Sequence, residues 1–152
     1  MKTLYLLPNA YKKIGWFVFV PSFILGILML IFHWEFPLVN IPVIYNDALV
    51  GERGFFVETS VSWLENLIGM MVIVGGLLVG FSKEKTEDEY IASLRLKALF
   101  WAMGVSYLVV LGLYLAVFGI AFLYIIILAM YLPLVLYIFR FNYCLLTLNN
   151  EK

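Results

Sequence analysis

Long apolar runs alternate with short charged segments along this chain, and the runs define its predicted architecture. Four runs are almost free of charge: residues 14–33, 63–81, 98–118 and 120–140. A helix needs about 20 apolar residues to cross a hydrocarbon core about 30 Å thick, so each run predicts one membrane-spanning helix. The pattern therefore predicts an all-α integral membrane protein in which a single domain contains four transmembrane helices.

The connector between the second and third runs, residues 82–97, contains eight of the chain's charged residues. Thr86 is followed three residues later by Glu89, which is the capping-box pattern of a helix start. No glycine or proline interrupts the chain from there to the apolar run. The sequence thus predicts a third helix that begins near Glu87, extends into water as a charged spur, and continues across the membrane.

The basic residues predict the orientation of the spans. Nine of the ten fall on one side of the predicted membrane: Lys2, Lys12, Lys13, Lys83, Lys85, Arg95, Lys97, Arg140 and Lys152. Arg53, in the loop of residues 34–62, falls on the other side. Because basic residues concentrate in cytoplasmic segments, both termini and the connector are predicted inside and the 34–62 loop outside. Trp101 is then expected at the inner headgroup level, as part of an aromatic belt.

The outer loop mixes β-branched residues with turn residues. Val39 to Tyr45 and Phe55 to Val61 have the composition of two short strands separated by a polar turn. They are compatible with a β-hairpin, or with irregular structure lying in the membrane interface. In either form the loop is predicted to be a small ordered cap between the first two helices.

The polar residues near the spans are interpreted mainly as structural groups. Ser62 and Glu65 form a second capping-box pattern, and the alternative role for Glu65 is a proton- or cation-binding group. His33 is isolated at the end of the first span and is interpreted as an interfacial hydrogen-bonding residue. Cys144 is the single cysteine, and the chain has no Cys/His cluster, so neither a metal nor another cofactor is expected.

Small residues at helical spacing predict where the spans pack. The candidate packing positions are Gly15, Ser22 and Gly26 on the first span, Gly69, Gly76 and Gly80 on the second, and Gly112 and Ala116 on the third. Such residues let helices approach closely in lipid. The stripes on the first two spans share one spacing, so they are expected to pack against each other, with a dimer contact as the alternative.

Tyrosines form a second pattern on the last two spans. Tyr107 and Tyr114 are seven residues apart, as are Tyr124 and Tyr131, so each pair shares a helix face. The pairs are predicted to face one another in two rungs. Their hydroxyls would then either satisfy one another in a packed bundle or line a pocket for a lipid or an amphipathic small molecule. Arg140 marks the predicted cytoplasmic exit, where it extends to the interface or contacts a lipid phosphate.

The spur has an apolar stripe of its own. It is formed by Tyr90, Ile91 and Leu94, in line with Ala98 on the adjoining span. A polar extension of this length gains little stability from helix propensity alone, so the stripe is expected to pack on something. The two options are the chain's own tail, residues 141–148, and a protein partner that binds the helix in a groove.

Composition sets the class of protein. The chain is 64% hydrophobic and 13% charged, and its net charge is zero. Mean hydropathy of +1.01 is far outside the range of soluble domains. A neutral chain offers no electrostatic basis for binding nucleic acid.

The stretch FSKEKTEDEYIASLRLKALFWA, residues 81–102, resembles the charged connector of small four-span bacterial membrane proteins. This resemblance implies a bacterial cytoplasmic membrane and brings no activity, cofactor or catalytic residue with it. It covers the connector and the general layout of the spans.

The sequence contains no grouping of acid, base and nucleophile near one interface, so an enzyme is not expected. The predicted function is that of a non-catalytic interaction, regulatory or accessory subunit. Its expected partners are membrane lipids and a cytosolic or membrane protein. The alternatives are a small homo-oligomeric channel or transporter and a protein that binds a lipid or an amphipathic small molecule.

Overall fold

The computed structural model describes residues 6–32, 36–46, 54–85 and 88–150, apart from the side chains of Ile120, Asn149 and Asn150. Several residues discussed above lie outside these ranges: Lys2, His33, Arg53, Thr86, Glu87 and Lys152. The chain divides into two compact units, one formed by Met1–Phe19 with Ile73–Lys152 and the other by Val20–Val72.

Four α-helices in the described ranges are long and apolar enough to cross a membrane, in agreement with the predicted number of such helices. They are α1 (Asn9–Phe32), α2 (Trp63–Gly80), α3 (Glu89–Ala116) and α4 (Phe122–Asn150). A 3₁₀ turn, Gly119–Ala121, joins α3 to α4. Gly119 has a φ of +79°, a conformation that glycine adopts without a steric penalty. The inside and outside assignment of the helix ends remains a prediction from the basic residues.

The start of α3 differs from the prediction. Asp88 is the N-cap, and its carboxylate accepts a hydrogen bond from the backbone nitrogen of Ile91 at 2.8 Å. Glu89 is therefore the first helical residue, two positions after the predicted start near Glu87, and Thr86 of the predicted capping box lies outside the described residues. Aspartate is at least as good an N-cap as threonine, and the sequence offers both within three positions.

The start of α2 also differs in detail. Glu65 lies in the first turn and is exposed, as expected. Ser62, however, contributes its backbone carbonyl, which accepts from the nitrogen of Asn66 at 3.4 Å. The buried Ser62 hydroxyl has no hydrogen-bond partner among the residues that the structure describes. The carbonyl bond places Ser62 at the N-cap position, but its hydroxyl accepts no hydrogen bond from the first turn, so the serine half of the predicted capping box is not formed among the described residues.

The outer loop contains a β-hairpin, the first of the two forms that the sequence allowed. Strand β1 (Val39–Asn46) pairs antiparallel with β2 (Gly54–Val61), in a register that runs from Val39↔Val61 to Asn46↔Gly54. Since side chains alternate along a strand, one face consists entirely of apolar, aromatic and β-branched residues. These are Val39, Ile41, Val43, Tyr45, Phe55, Val57, Thr59 and Val61. On the other face the Ser60 hydroxyl donates to the Asn40 side-chain oxygen at 2.6 Å.

Candidate functional site

Helices α3 and α4 are both longer than a membrane crossing requires. Their 28 and 29 residues correspond to about 42 and 43 Å, against a hydrocarbon core of about 30 Å. The excess lies at the same end of the pair, where the Arg95 guanidinium carbon is 4.8 Å from the centre of the Phe141 ring. Residues 89–97 of α3 and 141–150 of α4 are termed the stalk.

The base of the stalk holds the C-terminal end of α2. A helix leaves its last carbonyls without intrahelical donors, and they need partners wherever water is scarce. The carbonyl of Gly80 accepts from Arg95 Nη1 at 3.0 Å and from the Tyr137 hydroxyl at 2.7 Å. Arg95 Nη1 also donates to the carbonyl of Ser82 at 3.1 Å, and the Ser82 hydroxyl donates to the carbonyl of Leu78. Side chains from α3 and α4 thus complete the end of α2.

The N-terminal segment binds the same stretch of backbone. Leu7 donates its N–H to the carbonyl of Phe81 at 3.0 Å and accepts from the N–H of Lys83 at 2.8 Å. The Asn9 side-chain amide donates to the carbonyl of Lys83 at 2.7 Å. The backbone just after α2 is therefore held from two sides, by the segment that precedes α1 and by α3.

An ion pair and two aromatic rings complete this region. Lys12 pairs with Glu84, and the Lys12 ammonium lies 5.9 Å from the centre of the Phe141 ring. Tyr137 stacks on Phe141 with ring centres 6.0 Å apart and planes 17° apart. The whole set is termed the junction: Leu7, Asn9, Lys12, Gly80, Phe81, Ser82, Lys83, Glu84, Arg95, Tyr137 and Phe141. Of these residues, Gly80 was predicted as a packing position, Lys12, Lys83 and Arg95 were counted as basic residues, and Phe141 begins the tail that was one packing option for the spur. The way they meet was not predicted.

Arg95 is the central residue of the junction. It is only 9% exposed, and its charge lies at the C-terminus of α2, where the helix dipole favours a cation. Its planar fork of donors serves two carbonyls while the guanidinium rests on the Phe141 ring. In the sequence Arg95 contributed only to the count of basic residues, since a buried arginine looks like a surface one.

The buried face of α3 agrees only in part with the apolar stripe that the sequence predicted, since Ala98 is buried and Ile91 and Leu94 are half-buried. It consists of Arg95, Ala98, Ala102 and Ser106. Tyr90 and Trp101 are exposed. A large apolar side chain can face lipid without a free-energy cost, whereas small residues let two helices approach closely. In a membrane the buried positions of a helix are therefore selected by small side-chain size rather than by hydrophobicity. Ser106 donates to the carbonyl of Ala102 within its own helix, at 2.6 Å.

Gly15 and Gly26 of the first span lie against α2, but not against the glycine stripe of α2 that was predicted as their partner. A methyl group added at Gly15 would lie 2.8 Å from the Leu78 Cβ and from the Val79 nitrogen, so α1 and α2 are in close contact there. Gly26 lies near Ile68 of α2, with a wider gap of 3.9 Å to the same hypothetical methyl group. Ser22 between them is buried.

The stripe on α2 divides between two neighbours. Gly76 and Gly80 face α4 rather than α1, because added methyl groups would lie 2.6 Å from a Leu134 side-chain carbon and 2.7 Å from the Tyr137 ring. Gly75, which the sequence analysis did not select, faces α1. Consecutive helical residues point about 100° apart, so adjacent glycines serve different partners. Gly69 is half-buried in the first part of the helix.

The predicted packing positions near the end of α3 are not used within the chain. Gly112 and Ala116 are exposed. A methyl group added at Gly112 would have no neighbour within 4 Å among the described residues. Within the described residues, the two small positions are thus open to the surroundings of the helix.

The tyrosine rungs are not formed between described residues. Tyr107, Tyr114 and Tyr124 are each more than half exposed, and Tyr131 is half-buried. Tyr114 packs edge-on against Phe122, with ring centres 5.2 Å apart. The buried tyrosine is Tyr137 instead. Heptad spacing placed each pair on one face but could not indicate whether that face points at a neighbouring helix or away from it.

A groove runs between the two helices of the stalk, with a volume of about 260 Å³. Its lining residues are Tyr90, Leu94, Arg140, Tyr143, Cys144, Thr147 and Leu148. The Arg140 guanidinium carbon lies 4.9 Å from the centre of the Trp101 ring at one edge of the groove. The structure thus brings together Arg140 and two of the three predicted docking residues. Ile91, the third, is half-buried.

Comparisons of the chain with protein-family models, with curated proteins and with solved structures find no match. The described residues contain no group of three His, Cys, Asp or Glu side chains that could hold a metal ion. The junction and the groove are therefore interpreted from their own geometry.

Proposed function

We propose that the protein is a non-catalytic interaction subunit, regulatory or accessory, that presents its stalk to another protein. The observation that supports this proposal is the way the stalk is fixed at its base. The side chains of Arg95, Tyr137 and Asn9 donate hydrogen bonds to backbone carbonyls at the end of α2 and just after it. These bonds fix the helices at the junction, so we infer that the two helices of the stalk project as a rigid pair. A surface that is already ordered loses less entropy on binding.

The outward side of α3 supplies the proposed contact surface. Its exposed residues recur at intervals of four and three and continue from the stalk into the span: Glu89, Ser93, Leu96 and Phe100. This set is termed the outer stripe. Leu96 is 54% exposed although it lies outside the predicted span. The stripe changes from polar at Glu89 and Ser93 to apolar at Leu96 and Phe100, and such an amphipathic surface is of the kind that a partner helix packs against.

The positive-inside pattern favours a cytoplasmic stalk, and the resemblance of the connector favours a bacterial cytoplasmic membrane. The proposed partner is accordingly a cytosolic protein or a membrane protein with a cytoplasmic portion. A second copy of this chain is the competing partner, and a homo-oligomer of that kind would favour the channel or transporter alternative.

Photo-crosslinking from the outer stripe tests the proposal. A photoreactive phenylalanine analogue is introduced at Ser93 and at Leu96, and intact cells are irradiated. We expect a discrete adduct of higher mass from both positions, because both side chains are exposed on the stalk. The matched control is Leu108, which is 70% exposed on the same helix but within the predicted span.

Leu108 is expected to give no discrete protein adduct at comparable expression. Coexpression of two differently tagged copies separates the partners, since an adduct that carries both tags is a self-contact and would contradict the accessory-subunit proposal. The proposal would also fail if neither Ser93 nor Leu96 formed a protein adduct.

A further inference from the structure

We propose that the groove of the stalk binds the phosphate-bearing headgroup of an anionic phospholipid. This site is distinct from the outer stripe and does not depend on the protein partner proposed above. The inference starts from Arg140, the cation at the edge of the groove.

Arg140 is held in position without being neutralised. Its guanidinium lies over the Trp101 ring at 4.9 Å, which leaves the edge donors of the fork available. Within the described ranges no carboxylate pairs with Arg140 and no hydrogen-bond acceptor contacts it. A phosphate fits the planar fork of an arginine, with two parallel hydrogen bonds and an opposite charge.

The walls of the groove suit a headgroup. Tyr90 and Tyr143 bring phenol hydroxyls to it, and both side chains are more than half exposed. The Thr147 hydroxyl donates to the carbonyl of Tyr143 at 3.1 Å, so its oxygen remains able to accept a hydrogen bond. Leu94 and Leu148 add apolar surface between these polar groups. The combination matches a ligand that has a charged phosphate and further oxygen atoms.

The position of Arg140 along α4 identifies the source of the phosphate. From Phe122 to Arg140 the helix rises about 27 Å, close to the thickness of a bilayer core of about 30 Å. Arg140 is therefore expected at the level of the lipid phosphates, beside the interfacial Trp101. Basic pockets between helices on the cytoplasmic side are suited to anionic lipid headgroups, which are enriched there. A phospholipid is thus favoured over a dissolved phosphate.

Lipid titration of the purified, delipidated protein tests this inference. Native mass spectrometry measures binding of phosphatidylglycerol and of phosphatidylcholine to the wild type and to variants. We expect Arg140→Gln to weaken phosphatidylglycerol binding by about tenfold, through loss of charge-assisted hydrogen bonds, and to weaken phosphatidylcholine binding less, because the choline cation already offsets the phosphate charge. Lys97→Gln, which removes an exposed cation outside the groove, is the matched control and is expected to have little effect.

A second variant separates a built site from diffuse attraction. Cys144→Phe fills the groove and keeps every charge, so it should weaken phosphatidylglycerol binding as well. Equal losses for Lys97→Gln and Arg140→Gln, with none for Cys144→Phe, would overturn the proposal in favour of general surface charge. If millimolar inorganic phosphate displaced all bound phosphatidylglycerol, the site would be reassigned to a free anion. If an acidic peptide displaced the lipid, and the protein showed no preference between the two lipids, the site would be reassigned to a protein ligand. Thermal unfolding of each variant is recorded in parallel, to check that the variant keeps the wild-type fold.

Discussion

Replacing Arg95 with methionine is expected to lower the free energy of unfolding by about 3 kcal/mol. Methionine fills a similar volume but donates no hydrogen bond. The carbonyls of Gly80 and Ser82 would lose the guanidinium that they share, and the C-terminus of α2 would lose its cation. In detergent the apparent melting temperature should fall by roughly 6–12 °C.

Two matched variants make this result specific. Lys97→Met removes an exposed charge two residues further along the same helix and should change stability by no more than about 0.5 kcal/mol. Arg95→Lys keeps the charge but has no planar fork, so it should lie between the wild type and Arg95→Met. Equal melting temperatures for Arg95→Met and Lys97→Met would show that the junction does not depend on Arg95.

Gly75→Ala is expected to destabilise the protein by about 2–3 kcal/mol, through overpacking. The added methyl group would lie 2.7 Å from the nitrogen and 2.9 Å from the Cα of Phe19, both of which are backbone atoms. No side-chain rotation can relieve these contacts, so α1 and α2 would have to separate. The measurement is again the apparent melting temperature in detergent.

Gly104→Ala is the matched control, since a methyl group there would have no described neighbour within 4 Å. Alanine is the better helix former, so this variant should be neutral or more stable by about 0.5–1 kcal/mol. If both substitutions were equally harmful, the cost would come from the glycines themselves and not from the contact between α1 and α2.

The spans could be predicted because the length of an apolar run can be measured directly in the sequence. The hairpin could be anticipated as one of two forms, since alternating β-branched residues around a polar turn suit a two-stranded sheet. The buried faces could not be assigned in the same way. In water, hydrophobicity indicates which side of a helix is covered, but in lipid this rule fails and Trp101 points outward while Ala102 points inward.

The junction was missed for a related reason. Arg95 lies two residues from Lys97, and in the sequence both are basic residues near the end of a span. What distinguishes them is the row of small residues, Ala98, Ala102 and Ser106, that continues the face of Arg95 along α3. A basic residue in line with small residues at helical spacing was therefore the available signal. Its partners, the carbonyls of Gly80 and Ser82, are backbone groups that no sequence pattern marks.

The side of the membrane on which the stalk lies is the claim that both the protein-partner and the lipid proposals require. It is tested by single cysteines at Glu58, exposed on β2, and at Lys85, exposed in the connector, each in a Cys144→Ser background. A membrane-impermeant maleimide is applied to spheroplasts, with and without permeabilisation. The positive-inside pattern predicts labelling at position 58 in intact spheroplasts and at position 85 only after permeabilisation. Labelling at position 85 but not at position 58 in intact spheroplasts would contradict a cytoplasmic stalk.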